Sequence, residues 1–250
     1  MKKVILSIIA FFAFNSTAQE LEIPLKKQCW PFDGIFGKFD RRAAQRGFQV
    51  YKQVCATCHG LYHLSYRNLE NIGITKPEIR AIAAEYEIED GPNDEGEMFT
   101  RPARPSDRFA RPYPNEQAAR AANNGAYPVD LSLIIKARED GANYLYSLLT
   151  GYEDPPEGFD LMDGLYYNKY FPGNQIAMPP PLMSGQVEYI DGTEASVHQM
   201  AKDLVIFLQW AAEPEMEQRK SMGLKSILYL LVFTVLFYLS KRKIWSKLEK

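Results

Sequence analysis

Cysteine and histidine are scarce in this chain. Its 250 residues hold three of each: Cys29, Cys55 and Cys58, and His59, His63 and His198. A zinc site would need a second Cys or His pair at ligand spacing, and so small a supply leaves it without one. Long apolar runs are missing everywhere except near the two ends. The part between them also lacks a positive excess. Residues 19–223 carry 21 Lys and Arg against 30 Asp and Glu, a formal charge of −9 that the basic ends mask in the whole-chain value of −2. Such a balance excludes nucleic acid as a partner and favours a basic protein.

What is present is Cys55-Ala56-Thr57-Cys58-His59, a CxxCH, the attachment pattern of a c-type haem. Positions three and four apart on a helical turn share a face, so both sulfurs can reach the two vinyl groups of one haem while His59 points at its iron. The alternative is a thioredoxin-like redox pair, which would sit near a strand in a βαβ unit. Asp40 is the expected N-cap of a helix whose stripe runs through Ala44, Phe48, Tyr51, Cys55 and Cys58, so the motif ends an amphipathic helix. His63 lies four residues beyond His59, on the same side of any continuing helix, and is therefore a poor ligand for the opposite face of the iron.

Both ends point to export and anchoring. Lys2 and Lys3, the apolar run Val4 to Phe14, and Ser16-Thr17-Ala18 have the order of a secretory signal cleaved after residue 18. Eleven apolar residues are too few to span a bilayer. Residues 224–240 are long enough, at the low end of the range, and Lys225 can snorkel at the membrane edge. Basic residues follow in 241–250, so the positive-inside rule places that tail in the cytoplasm and the body outside. The expected organisation is a signal at 1–18, an exported domain at 19–212, a connector at 213–223, a transmembrane anchor at 224–240 and a basic tail at 241–250.

Within the body, Lys76-Pro77-Glu78 to Tyr86 reads as a helix with proline in its first turn. Residues 85–97 contain seven acidic residues and no basic one, as a solvated loop or as a docking surface for a basic redox partner. Residues 98–130 show no sustained period, and a segment of that kind is usually functional or disordered. A short helix runs from Asn143 to Leu149, and a last one from about Glu194 to Ala212 with Asp191 or Thr193 as cap. The latter buries Val197, Met200, Ala201, Leu204, Leu208 and Ala211 and leaves His198 solvated. Between these helices stands Ile176-Ala177-Met178-Pro179-Pro180-Pro181-Leu182. Three prolines stiffen the chain after Met178, whose thioether is either a soft ligand suited to haem iron or core filling; Met183 is the next candidate.

The ordered set of motifs resembles the cytochrome c1 family, the haem subunits of quinol:cytochrome c oxidoreductase (cytochrome bc1) complexes. The resemblance rests on residues 30–37 (WPFDGIFG), 46–52 (RGFQVYK) ahead of CxxCH, 121–126 (AANNGA), 147–152 (SLLTGY) and 176–182. It implies a mainly α, class I cytochrome c-like haem domain with long loops and one C-terminal transmembrane helix. It also implies one haem c held covalently by Cys55 and Cys58, with His59 and Met178 as axial ligands. Arg138 and Tyr144, with Asn123 close by, are implied near the haem propionates, where a guanidinium is a charge-assisted partner for a carboxylate. The implied partners are cytochrome b, the Rieske iron–sulfur protein, a cytochrome c and the lipid bilayer, in a dimeric complex. Two features depart from the family: Pro128-Val129 stands where two prolines are common, and no cysteine pair is available for the extra disulfide of some bacterial relatives. The simple export signal suggests a bacterial inner membrane with the haem domain on the periplasmic side.

No substrate bond is made or broken on such a chain, so catalysis belongs to the assembled complex. The expectation is an electron carrier that accepts from the Rieske protein and passes to cytochrome c. A haem enzyme or gas sensor would instead keep an open sixth position on the iron, and a structural tether in another assembly would lack these partners.

Overall fold

Asp40 opens helix α1 (Arg41–Gln53), its carboxylate accepting from the amides of Arg42 and Ala43, as a side-chain oxygen at the N-cap should. The computed structural model describes residues 23–246, so the signal segment 1–18 lies outside the described residues, as do Lys247 and Lys250. α2 (Lys76–Ala84) carries Pro77 in its first turn and a capping box from Thr75 and Glu78. α3 (Glu116–Ala122) is capped by Asn115. α4 (Gly141–Leu149) and α5 (Val197–Ala212) follow, the latter capped by Ser196 rather than by Asp191 or Thr193. The last helix, α6, runs from Met216 to Trp245. Strand content is small, namely the antiparallel pair β1 (Glu87–Asp90) and β2 (Phe99–Pro102) and the two-residue pair β3 (Tyr166–Tyr167) and β4 (Gln175–Ile176). The domain is therefore mainly α with long loops, as the sequence predicted.

α1 and α5 cross at the centre. A Cβ on Gly47 would lie 2.0 Å from the Asp203 carbonyl oxygen, so only glycine allows the two backbones this approach. Next to it, Arg46 grips the buried Asp203 carboxylate with two hydrogen bonds of 2.8 and 3.0 Å and reaches Asp191 at 2.8 Å. A charge buried that deeply is tolerable because it is paired and bonded. Phe48 and Tyr51 of α1 pack on Phe207 of α5 with centroids 5.6 and 5.8 Å apart, and Phe109 closes the cluster against Tyr66 at 4.5 Å. Met200, Ala201, Leu204, Leu208 and Ala211 are buried as expected. Val205, Ile206 and Phe207 are buried too, so α5 is covered on more than one stripe. His198 is exposed and meets the Tyr146 hydroxyl at 2.9 Å.

The N-terminal segment is laid along α4. Asn143 accepts from the Gln28 amide at 3.0 Å and from the Trp30 indole at 2.9 Å, while Lys26 bonds to Ser147 and Thr150. All nine residues of α4 are buried. This explains why its polar Asn143 and Ser147 are fully engaged.

Two segments differ from the expectation. Glu87–Asp90, within the acidic stretch, is a hairpin arm and not a loop, because Arg101 of the opposing strand neutralises Asp90 and also binds Asp107 at 2.7 Å. Residues 216–223, within the stretch expected to connect the domain to the anchor, are helical and run straight into the apolar segment. Pro214 is the last breaker before Met216, and Gly223 alone does not stop a helix with thirty residues of ladder. At 1.5 Å per residue α6 is about 45 Å long, its apolar side chains are exposed from Met222 onward while Met216 is buried, and it is long and apolar enough to cross a membrane.

Candidate haem site

The α-helix ends before the motif. Val54 caps α1, and Cys55–Thr57 form a tighter 3-10 turn closed by the Cys58 amide, which donates to the Cys55 carbonyl at 3.1 Å; the His59 amide donates to the same carbonyl at 2.8 Å. The turn still places Cys55, Cys58 and His59 at the C-terminal end of α1, with Cys55 packed against the core. Cys55 and Cys58 are not joined in a disulfide, and burial, with Cys58 adding to it, pushes the Cys55 thiol up to about 12. A thiol so placed is not a poised redox nucleophile. The sheets are two antiparallel pairs, so no βαβ unit surrounds the motif among the described residues. Nor do three or more His, Cys, Asp or Glu side chains gather there as a metal-binding group.

His59 is aimed by the chain seventy residues later. Its Nδ1 lies 2.7 Å from the Val129 carbonyl. A carbonyl can only accept, so Nδ1 holds the proton and Nε2 keeps its lone pair, the form in which imidazole binds a metal. Burial holds the imidazolium below its usual range against the opposing pull of Val129 and Asp130. The 129–131 segment is itself pinned: the Leu131 amide donates to the Gly60 carbonyl at 2.9 Å, and Asp130 accepts from the Tyr62 amide at 2.8 Å. The Tyr51 hydroxyl donates to the His59 carbonyl at 3.0 Å from the other side. His63 is exposed and no helix carries it on from His59.

Asn123 joins this half of the site. Its amide donates to the Tyr113 hydroxyl at 3.0 Å, and that hydroxyl lies 3.8 Å from the Cys58 sulfur. Cys58, Tyr113, Ala119 and Tyr127 line a cleft of about 240 Å³. The stretch without period thus supplies α3 and the tyrosine that ties Asn123 to the motif.

Met178 belongs to a second half. It is partly buried against the same core as Cys55, and its carbonyl accepts from the Tyr152 hydroxyl at 3.0 Å. Burial, with Tyr144 nearby, pushes that hydroxyl well above its usual range, so it stays protonated and a donor. Tyr144 is buried in α4 with the Arg138 guanidinium 6.0 Å from its ring, while Arg138 itself is exposed and, among the described residues, bonded only to the Ala137 carbonyl. A larger cleft of about 590 Å³ is lined by Tyr152, Tyr167, Pro180, Leu182 and Val197, but by neither Met178 nor the CxxCH residues. Met183 is exposed. These groups could hold a haem through two thiols, one imidazole with a bare Nε2, and one thioether. Tyr113, Val129 and Tyr152 were not legible as site residues. Val129 acts through its backbone, Tyr113 sits in the segment without a period, and Tyr152 appears only as the end of the 147–152 motif, which gives it no role.

Comparison with known proteins gives the family. The Cytochrome C1 family matches residues 30–248. The potato protein named cytochrome c1-2, heme protein, mitochondrial, is 54% identical over 240 residues, which cover 95% of this chain and 92% of that one. Cytochrome c1 of Rhodospirillum rubrum is 45% identical over 267 residues, covering 100% and 98%. A Bradyrhizobium diazoefficiens protein named cytochrome b/c1 is 50% identical over 239 residues, covering 87% of this chain and 35% of that one. The chain belongs to the cytochrome c1 family, and with it to the haem proteins that carry electrons in respiratory chains.

Proposed function

We propose that this chain accepts one electron from the Rieske iron–sulfur protein of a bc1 complex and passes it to a soluble or tethered cytochrome c. A single haem c would be held through Cys55 and Cys58, with His59 and Met178 as its axial ligands, and would supply the one-electron chemistry. The observation that carries this reading is the His59 Nδ1 bond to Val129, which leaves Nε2 as the metal-binding nitrogen on a CxxCH turn. Tyr152 and the prolines after Met178 hold the second ligand's backbone, and a Met/His pair raises the reduction potential. Asn123, Arg138 and Tyr144 are assigned to the propionate side.

The same reading makes cytochrome b a partner, in keeping with the Bradyrhizobium relative's name, in a dimeric complex. Residues 1–18 are a cleaved signal, 19–212 the haem domain, and α6 a single-pass anchor in a bacterial inner membrane with the haem domain on the periplasmic side. The acidic hairpin supports docking to a basic cytochrome c. Glu85 is paired with Lys52 and Asp90 with Arg101, but Glu87, Glu89, Asp94, Glu95 and Glu97 have no ion pair among the described residues.

The test is an optical spectrum of the reduced and oxidised protein with carbon monoxide added to the reduced form, for wild type and Met178→Leu. A low-spin c-type spectrum indifferent to carbon monoxide in wild type, with binding in the variant, is expected. Binding by wild type would mean an open iron and a haem enzyme or sensor.

A further inference from the structure

The turn between Trp30 and Phe39 holds two large apolar side chains outward. Trp30, Phe32 and Phe39 are buried, but Ile35 is 69% and Phe36 79% exposed at the tip. The tip is well ordered by its own bonds. Lys38 donates to the Pro31 carbonyl at 2.9 Å, Gly34 takes φ +70°, and a Cβ on Gly37 would strike the Asp33 carbonyl at 2.2 Å. A single exposed apolar residue is ordinary; two on a rigid tip beside a membrane helix need a reason.

That tip is bolted to the start of α6. Lys220 donates to the Phe32 and Gly34 carbonyls at 2.6 and 2.7 Å. One turn earlier, Glu217 accepts from the Phe39 amide at 2.8 Å and forms a two-bond pair with Arg41. Lys220 precedes Leu224, where the exposed apolar run begins, by about 6 Å of helix rise. The headgroup layer on each side of a bilayer is roughly 5–8 Å thick. Lys220 and the carbonyls that hold it therefore stand at headgroup depth, and Ile35 and Phe36 stand with them.

We propose that Ile35 and Phe36 form a second membrane contact, seated in the lipid headgroup layer of the leaflet from which α6 emerges. Two attachments, the helix and the tip, fix the tilt of the haem domain where a single helix would leave it free to swing. The inference rests on α6 spanning the bilayer.

The test uses full-length holoprotein in nanodiscs of phosphatidylcholine and phosphatidylglycerol, in a Cys29→Ser background, with one nitroxide attached after Phe36→Cys, Val232→Cys or Asn93→Cys. Collision with a water-soluble nickel chelate is expected to be at least about threefold lower at 36 than at 93, and lowest at 232. All three positions are exposed, and an unchanged haem spectrum confirms each fold. Equal access at 36 and 93 with 232 shielded overturns the tip contact alone. Access at 232 overturns the membrane span and this inference with it. Shielding at 36 that arises only when the other subunits are added assigns the tip to a protein partner and overturns the lipid contact.

Discussion

Gly47 and Asp203 meet backbone to backbone where α1 crosses α5, at a separation that leaves no space for a Cβ. The neighbouring Arg46 closes the same junction through the Asp203 carboxylate. Because α1 ends at the CxxCH turn, this crossing sets where the two cysteines and His59 stand relative to the core.

Gly47→Ala is therefore expected to destabilise the protein by about 1–3 kcal/mol, the usual cost of overpacking. In a free helix the same change would be favourable by up to about 1 kcal/mol. Denaturant unfolding of the holoprotein measures the sign, and a gain in stability would contradict the close crossing.

Arg46→Met should cost more, about 3–5 kcal/mol, since it strands the carboxylate of Asp203, which is only 1% exposed. Combining it with Asp203→Leu should recover a large part of the loss. A double-mutant cycle that finds the two changes additive would rule out the pairing.

Acid should weaken this junction at a defined pH. Asp191 is held down to about 2 by the Thr193 hydroxyl and amide and by Arg46. Its folded value lies below its ordinary 3.8, so its contribution is present above about pH 3.8 and is lost as pH falls through about 2. The stability difference between wild type and Asp191→Asn should shrink over that window, as followed by chemical unfolding at each pH.

Tyr152→Phe removes the donor to the Met178 carbonyl. The expected result is a loss of about 1 kcal/mol in stability and partial binding of carbon monoxide by the reduced protein, weaker than in Met178→Leu. A variant that behaves like wild type in carbon monoxide would separate Tyr152 from the placement of Met178.

Replacing Glu87, Glu89 and Glu95 by Gln is expected to slow association with a basic cytochrome c by roughly tenfold at low salt and to flatten its dependence on ionic strength. Stopped-flow rates at several salt concentrations test it. An unchanged salt slope would remove the hairpin from the docking surface.

The chemistry of this protein is local in sequence, and so was legible there. CxxCH is recognised by the spacing of three residues within five, Met178 stands out locally only as a thioether before three prolines and needs the family resemblance to favour it over core filling, and the run from 224 to 240 is long and apolar enough to span a membrane by composition. Asp40 and Pro77 mark helix starts through capping and φ restriction, which depend on a few neighbours. What tertiary structure decided lies in contacts between distant residues. The proton on His59 is placed by a backbone carbonyl seventy positions away, and Asn123 reaches Cys58 only through Tyr113. The acidic stretch becomes a hairpin arm where Arg101, opposite Ile88 in the register, reaches diagonally to Asp90. Asp203 is buried on a helix because Arg46 comes to meet it. Such partners are chosen by packing, where a carbonyl or a close approach matters as much as a side chain, and neither has a letter of its own in the sequence.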